Sequence, residues 1–457
     1  MSGAVAAHAA YNGSGTQGLA VTNNIQDDEG DVMSVFWNKN DTTRQLLHGA
    51  AFIDIPTSGN GGTTSLGGNQ IFTINNDIDA IGEMYLQISA SAPTKDFKMS
   101  GSLAAIIKRV EFHVGTQIWH TLEKEDIQAL NMTEMPEGVF GAYHRSIYGG
   151  YLEGGAKNKK AWGSAQEDAS VGVSGVVRIP SVSRQVGPTM SKFTNVVENA
   201  YLVAAAPHQT VKVKVYLENA NYVKTNVFAR SESNNYGQYW DEVLPKLELK
   251  LFGKHIIMCN EEREQMKAMP QGLPKRIKMS QNVTHTLSSQ AAGETFTVDL
   301  DHFSLYASHL LITVIGTSSE ASDDTNSTSE AKTTSRTAGL DEVELKLNSS
   351  SFSGTLKGTL LTAPVADMLG LYQNVQPYHN GSTEEAAGIY RTYIFPLASQ
   401  AFSGSSVPLN RFDNIRLSMT LSPTDDSAAG APTRVVVTCV GETTALYKGG
   451  AASLAMY

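Results

Sequence analysis

Residues 211–219, Val211-Lys212-Val213-Lys214-Val215-Tyr216-Leu217-Glu218-Asn219, decide the fold class. Val211, Val213, Val215 and Leu217 alternate with Lys212, Lys214, Tyr216 and Glu218. A period of two puts all the apolar side chains on one face of a strand and the polar ones on the other. The pattern returns at Leu247, Leu249 and Leu251 against Lys246, Glu248 and Lys250, and at Val343, Leu345 and Leu347 against Glu344 and Lys346. It returns again at Ile415, Leu417, Met419 and Leu421 against Arg416, Ser418 and Thr420. Strands that bury one face and wet the other belong to antiparallel sandwiches. With 40 glycines and few long runs of helix formers, the chain reads as all-β.

A length of 457 residues allows two or three domains, each with a sizeable core. The 35 basic residues against 45 acidic ones give a formal net charge of −10. Phosphate contacts supply most non-specific nucleic-acid affinity, and the nearest basic cluster is only Lys157, Lys159 and Lys160 in a Gly-rich stretch, so no direct nucleic-acid partner is expected. Two cysteines, Cys259 and Cys439, allow one disulfide but no disulfide framework. The N-terminus lacks a basic start followed by an apolar core, and no apolar run approaches the ~20 residues of a membrane span. The expectation is a chain made in the cytoplasm without signal peptide or transmembrane segment.

Residues 1–30 are rich in Gly, Ala, Asn and Ser, and read either as a free tail or as an arm ordered by neighbours. A helix is expected over 121–130, with Thr121 as N-cap and Leu122, Ile127 and Leu130 buried; a second is expected over 260–267. The second precedes the Pro270–Pro274 stretch, where the domain boundary is placed. Residues 317–338 form a polar low-complexity insert expected to be an exposed loop.

The residues that could carry chemistry favour structural readings. His113 and His120 flank a turn, but no cysteine or carboxylate cluster completes a metal set, so no metal and no cofactor is expected. Ser58-Gly59-Asn60-Gly61-Gly62 lacks the Lys-Ser/Thr end of a phosphate loop and reads as a connection. Ser403-Gly404 reads as the start of a strand rather than a nucleophile elbow. Glu123, Glu125 and Asp126 read as solvated residues capping a helix. Asn-x-Ser/Thr sequons stand at Asn12, Asn40, Asn131, Asn282, Asn326, Asn348 and Asn380. Of these, Asn326 and Asn380 fall in expected loops and are the candidate glycan acceptors.

Four ordered segments of the C-terminal part carry a resemblance. They are Val343-Glu344-Leu345-Lys346-Leu347-Asn348; Leu371-Tyr372-Gln373-Asn374-Val375-Gln376-Pro377-Tyr378-His379 with Gly388-Ile389-Tyr390 and Tyr393-Ile394-Phe395-Pro396-Leu397; Ser403-Gly404 leading to Leu409-Asn410-Arg411-Phe412-Asp413-Asn414-Ile415-Arg416-Leu417; and Leu446-Tyr447-Lys448-Gly449-Gly450-Ala451-Ala452-Ser453-Leu454-Ala455. In order and spacing this run resembles the major capsid proteins of nucleocytoplasmic large DNA viruses. In the first half, Ile107–Gln117, Tyr201–Ala206 and the 246–258 strand are similar to family segments. Two stretches differ from the family: Arg178-Ile179-Pro180-Ser181-Val182 replaces an aromatic Pro-Phe block, and only Val35-Phe36-Trp37 echoes the aromatic N-terminal segment.

The resemblance implies two consecutive eight-stranded antiparallel jelly rolls, a double jelly roll with short helices and long loops. It places an N-terminal arm and lead-in at 1–49, a first jelly roll at 50–259, a helix and linker at 260–275, and a second jelly roll at 276–457. It implies a structural, non-enzymatic protein that forms a homotrimer, a pseudo-hexagonal capsomer of an icosahedral shell. Its partners would be itself, neighbouring capsomers, and minor capsid and penton proteins, with an internal membrane touched only indirectly; its location would be the virion. Two other readings stay open on the residues alone. A carbohydrate-binding or adhesive β-sandwich would need aromatic-lined loop pockets, but Trp37, Trp119, Trp162 and Trp240 are scattered. A jelly-roll enzyme would need a His–carboxylate metal cluster.

Overall fold

A computed structural model describes residues 49–58, 63–64, 66–91, 98–99, 102–147, 173–180, 200–220, 222–223, 228–229, 246–258, 260, 263–264, 273–287, 293–316, 339–374, 376–379, 386–390, 392–398, 406–422 and 432–455. Eight principal strands frame the first sheet pair, with the short Thr63–Thr64 strand added beside the last of them: β1 (Gly49–Ile55), β2 (Asn69–Ile74), β3 (Ala80–Ser91), β4 (Ile107–Val114), β5 (Gln117–Glu123), β6 (Val173–Ile179), β7 (Val211–Leu217) and β8 (Lys246–Ile257). They order as β1-β8-β3-β6 in one sheet and β2-β7-β4-β5 in the other, all antiparallel. Leaving aside short side strands, eight more frame the second pair: β9 (Leu273–Thr286), β10 (Thr295–Asp299), β11 (Tyr306–Gly316), β12 (Leu340–Leu347), β13 (Ser350–Ser351), β14 (Tyr393–Pro396), β15 (Ile415–Leu421) and β16 (Pro432–Lys448). Their orders are β9-β16-β11-β14 and β10-β15-β12-β13, the same two permutations displaced by eight strands. Each set has the crossed connectivity of a jelly roll, so the fold is a double jelly roll. A last strand, β17 (Ala451–Ala455), pairs with β16. Strand β9 starts at Leu273, inside the stretch read as linker.

The period-two readings hold residue by residue. Along β7, Val211, Val213, Val215 and Leu217 are buried and the residues between are half-buried. Leu247, Leu249 and Leu251 are buried while Glu248 and Lys250 are exposed. Val343, Leu345 and Leu347 of β12 and the apolar residues of β15 point into the second core. Strand β13 is reduced to two exposed serines, because Asn348-Ser349-Ser350-Ser351 has no apolar side chain to bury. Its hairpin from β12 turns on Asn348 (φ 49°) and Ser349 (φ 68°), the paired left-handed geometry of a type I′ turn. The Asn348 side-chain oxygen accepts the backbone N–H groups of Asp413 (3.0 Å) and Asn414 (3.2 Å), fastening that turn to the lead-in of β15.

Among the described residues, three helices of seven or more residues join the sheets: α1 (Lys124–Glu134), α2 (Glu137–Ile147) and α3 (Ala363–Leu369). The helix expected at 121–130 begins later, at Lys124, because Thr121 stays in the ladder opposite Glu111 and extends β5 to Glu123. Glu123 is the N-cap, and its backbone N–H donates to the Asp126 carboxylate at 3.0 Å. The 260–267 helix falls mostly outside the described residues. The 1–30 arm, the 317–338 insert, Lys157, Lys159, Lys160 and Cys259 all fall outside them. Cys439 is a free, buried thiol in β16.

Leu345→Ala should cost about 2–5 kcal/mol, because the cavity term adds to the lost transfer energy. Lys346→Ala, on the wet face, should stay within about 0.5 kcal/mol of the parent. Thermal melts of the two variants check the assignment of faces.

Candidate functional site: the seam between the jelly rolls

No cluster of metal-ligand side chains occurs among the described residues. The chemically dense region is the seam where the β5–β6 side of the first roll lies on the outer face of the β9-β16-β11-β14 sheet. Helix α1 runs along it because β5 ends at Glu123 with the chain already at the edge of its roll. Three carboxylates of α1 enter the seam. Asp126, fully buried, accepts hydrogen bonds from the Asn282 amide of β9 and the Thr438 hydroxyl of β16, besides the Glu123 N–H. Glu125 pairs with Arg434 of β16. Two turns on, buried Glu134 lies between Arg178 of β6 (3.0 Å) and Lys278 of β9. Asn131 completes this group, accepting from the Arg178 guanidinium at 3.2 Å and donating to the Arg178 carbonyl at 3.1 Å.

Burial sets the proton affinities here. It pushes the Asp126 carboxyl up to about 6 despite the three donors around it. Burial holds the Lys278 amine well below the usual lysine range. Burial first, and then the charge of Lys278, push His309 down to about 3.

The histidines are structural. His120 is buried, and its Nε2 accepts the Ser280 backbone N–H (3.1 Å), so that nitrogen is unprotonated and the Ser280 hydroxyl donates to it at 2.7 Å. His113 meets Glu111 at 2.9 Å inside the first roll. The reading of Glu123, Glu125 and Asp126 as solvated is corrected. Glu123 caps α1, but Glu125 and Asp126 are buried because the second roll covers that side of the helix. Asn131 is buried and Asn282 is engaged with Asp126. Candidate glycan acceptors Asn326 and Asn380, Gly59–Gly62 and Ser403-Gly404 fall outside the described residues.

Two of the sequence segments quoted above find their physical role in the seam. Asn374 is buried and donates its amide to the carbonyls of Met132 (2.8 Å) and Met135 (2.6 Å), closing the C-terminal end of α1 from the second roll. The Tyr372 backbone N–H adds a bond to the Thr133 carbonyl at 2.8 Å. At the other end, Tyr447 packs on Tyr201 (5.8 Å between ring centroids), which in turn meets Phe112 and Trp119 edge-on. Gly450, at φ 75°, accepts a hydrogen bond from the His208 N–H; a Cβ there would lie 2.3 Å from the His208 ring. Only glycine lets this hairpin approach so closely.

Sequence reading missed Lys278, Glu134 and Arg178. The visible trace was β9 itself, where Lys278, Ser280 and Asn282 put polar residues on a face that turns out to be covered.

Glu134→Ala leaves the buried Arg178 guanidinium without its carboxylate and should cost about 3–5 kcal/mol, whereas Lys278→Met, which leaves Glu134 paired with Arg178, should cost less. Denaturant melts of both variants give the comparison. For Asp126 the folded value lies above the unfolded one, so the folded state takes up a proton first. Its contribution to stability is full below about pH 4 and is lost as pH rises through about 6. The span is at most about 3 kcal/mol by linkage. Asp126→Asn should flatten the stability–pH curve between pH 4 and 6, and an unchanged curve would assign the titration to another group.

No family model and no curated protein matches this chain. Solved structures do. The PBCV-1 virus capsid, a quasi-atomic model, superposes with a TM-score of 0.63 at 13% identity, covering 91% of this chain and 98% of that one. The Faustovirus major capsid protein gives 0.56 at 9% identity, covering 98% and 99%. The Sputnik virophage structure gives 0.53 at 12% identity, covering 89% and 88%. Across nearly its whole length, this chain therefore has the double jelly-roll fold seen in these viral capsid structures.

Proposed function

We propose that the chain is a major capsid protein that trimerises into a pseudo-hexagonal capsomer of the icosahedral shell of a large DNA virus. The observation that carries this is the pair of jelly rolls with identical strand order, locked side by side by a buried seam. Two similar rolls per chain give six per trimer, a nearly hexagonal outline that tiles a curved surface, and cyclic symmetry closes the trimer. The likeness to capsid structures over 91% and 98% of this chain supports the same reading.

On this reading the arm 1–49, the first roll 50–259, the link 260–275 and the second roll 276–457 are parts of one shell subunit. Its partners are copies of itself, neighbouring capsomers, and minor capsid and penton proteins. Any internal membrane is met indirectly, and the genome is not held directly. The chain is made in the host cytoplasm, ends in the virion, and needs no cofactor. Asn326 and Asn380 are the sites where a glycan would be accommodated.

Light scattering across a chromatography peak should give three times the 49.1 kDa chain mass, unchanged by dilution and moderate salt. Obligate contacts of about 2,000 Å² or more would give that persistence. A monomer at all concentrations, failing to form shells when co-expressed with the other virion proteins, would overturn the reading.

A further inference from the structure

Trp119 of β5 and Tyr201 are 3% and 2% exposed and belong to the aromatic end of the seam. The Trp119 indole Nε1 and the Tyr201 hydroxyl are both buried, and among the described residues neither has a hydrogen-bond partner. A buried tryptophan N–H or tyrosine O–H ordinarily finds one, because a dry polar group loses its hydration and gains nothing in return. The two orphaned groups sit on neighbouring rings, edge-on with centroids 5.4 Å apart. Their coincidence calls for a common cause.

Both residues line one cavity of about 20 Å³, which lies between the first roll and strand β9 of the second. His120 adds to its wall on the first side, Lys278 and Met279 on the other. One water needs about 10–15 Å³, and it stays only where two to four polar groups hold it. Trp119 can only donate, whereas the Tyr201 hydroxyl can donate or accept. An acceptor is at hand on β9. Ser280 turns its backbone N–H off the outer edge of that strand, to His120 at 3.1 Å. Backbone groups alternate sides along a strand, so Lys278, two residues back, turns its carbonyl to the same edge, where the cavity lies.

We propose that this cavity is a binding site for a single water molecule, which accepts the Trp119 N–H, shares a hydrogen bond with the Tyr201 hydroxyl and donates to the β9 backbone at Lys278. Three bonds are the ordinary complement of an internal water. The first two partners belong to the first roll and the third to the second, so the water joins the rolls. The aromatic end of the seam thereby gains a directional link beside its apolar contacts. The two donors alone would also suit a halide ion, but the carbonyl on the far wall would repel it.

Tyr201→Phe in the full-length chain tests this by the sign of its effect. With a water on the hydroxyl, the variant strips one of three bonds and should melt about 1–3 °C below the parent. With a dry hydroxyl, the variant removes an unsatisfied polar group and would melt at or above the parent, which would overturn the proposal. A density map of the native protein sharp enough to show ordered water gives the second measurement. It should carry a peak about 2.7–3.2 Å from both Trp119 Nε1 and the Tyr201 hydroxyl oxygen. The peak should weaken or vanish in Tyr201→Phe. A parent map without it would also overturn the proposal, as would an anomalous signal at that position after soaking in bromide, which would identify an anion instead.

Discussion

A carboxylate taken out of water must be met by donors, and α1 carries three of them into the space between the two rolls. Asp126 finds Thr438 and Asn282, Glu125 finds Arg434, and Glu134 finds Arg178 and Lys278. Every one of these groups except Arg178 has its partner in the other half of the chain. Separating the rolls would rehydrate the charges, but shifting them by one strand residue would leave the charges buried and unmatched. The cost of a mismatched buried charge far exceeds the net worth of a matched pair. The seam therefore tolerates very few relative placements of the two rolls.

The apolar part of the seam plays a different role. Tyr201 meets Phe112 and Trp119 edge-on and Tyr447 at a tilt, and this buried apolar area supplies attraction. Apolar attraction is nearly non-directional, so by itself it would let two sheets slide. The aromatic end holds the rolls together and the ionic end fixes their angle.

The sandwich strands were legible in the sequence because each roll buries one face of each strand, and period-two alternation is the direct trace of that burial. Leu345 and Lys346 differ in burial for the same reason that they differ in polarity. The seam was not legible by the same rule. Asp126 and Glu125 follow an N-cap, where acids are ordinarily solvated and favoured by the helix dipole. Nothing within ten residues of them announces a second roll, because their partners Asn282, Arg434 and Thr438 lie more than 150 residues away. The start of α1 was misplaced for a related reason: Thr121 is a good cap, but ladder pairing with Glu111 kept it in the strand.

The C-terminal segments that stood out in the sequence are informative in this light. Asn374 closes α1, Tyr447 closes the aromatic contact, and Gly450 lets the final hairpin reach His208. None of the three belongs to the period-two pattern that builds the cores. All three instead join the second roll to the first. Under the proposed capsid role, a subunit needs its internal angle fixed more than it needs extra core stability. An error in that angle would be multiplied around the proposed trimer, whereas a fraction of a kcal/mol lost from one core would not. Residues such as Asn374 and Gly450, outside the period-two pattern of either core, are therefore those in which a double jelly roll of fixed angle differs from two jelly rolls on a string.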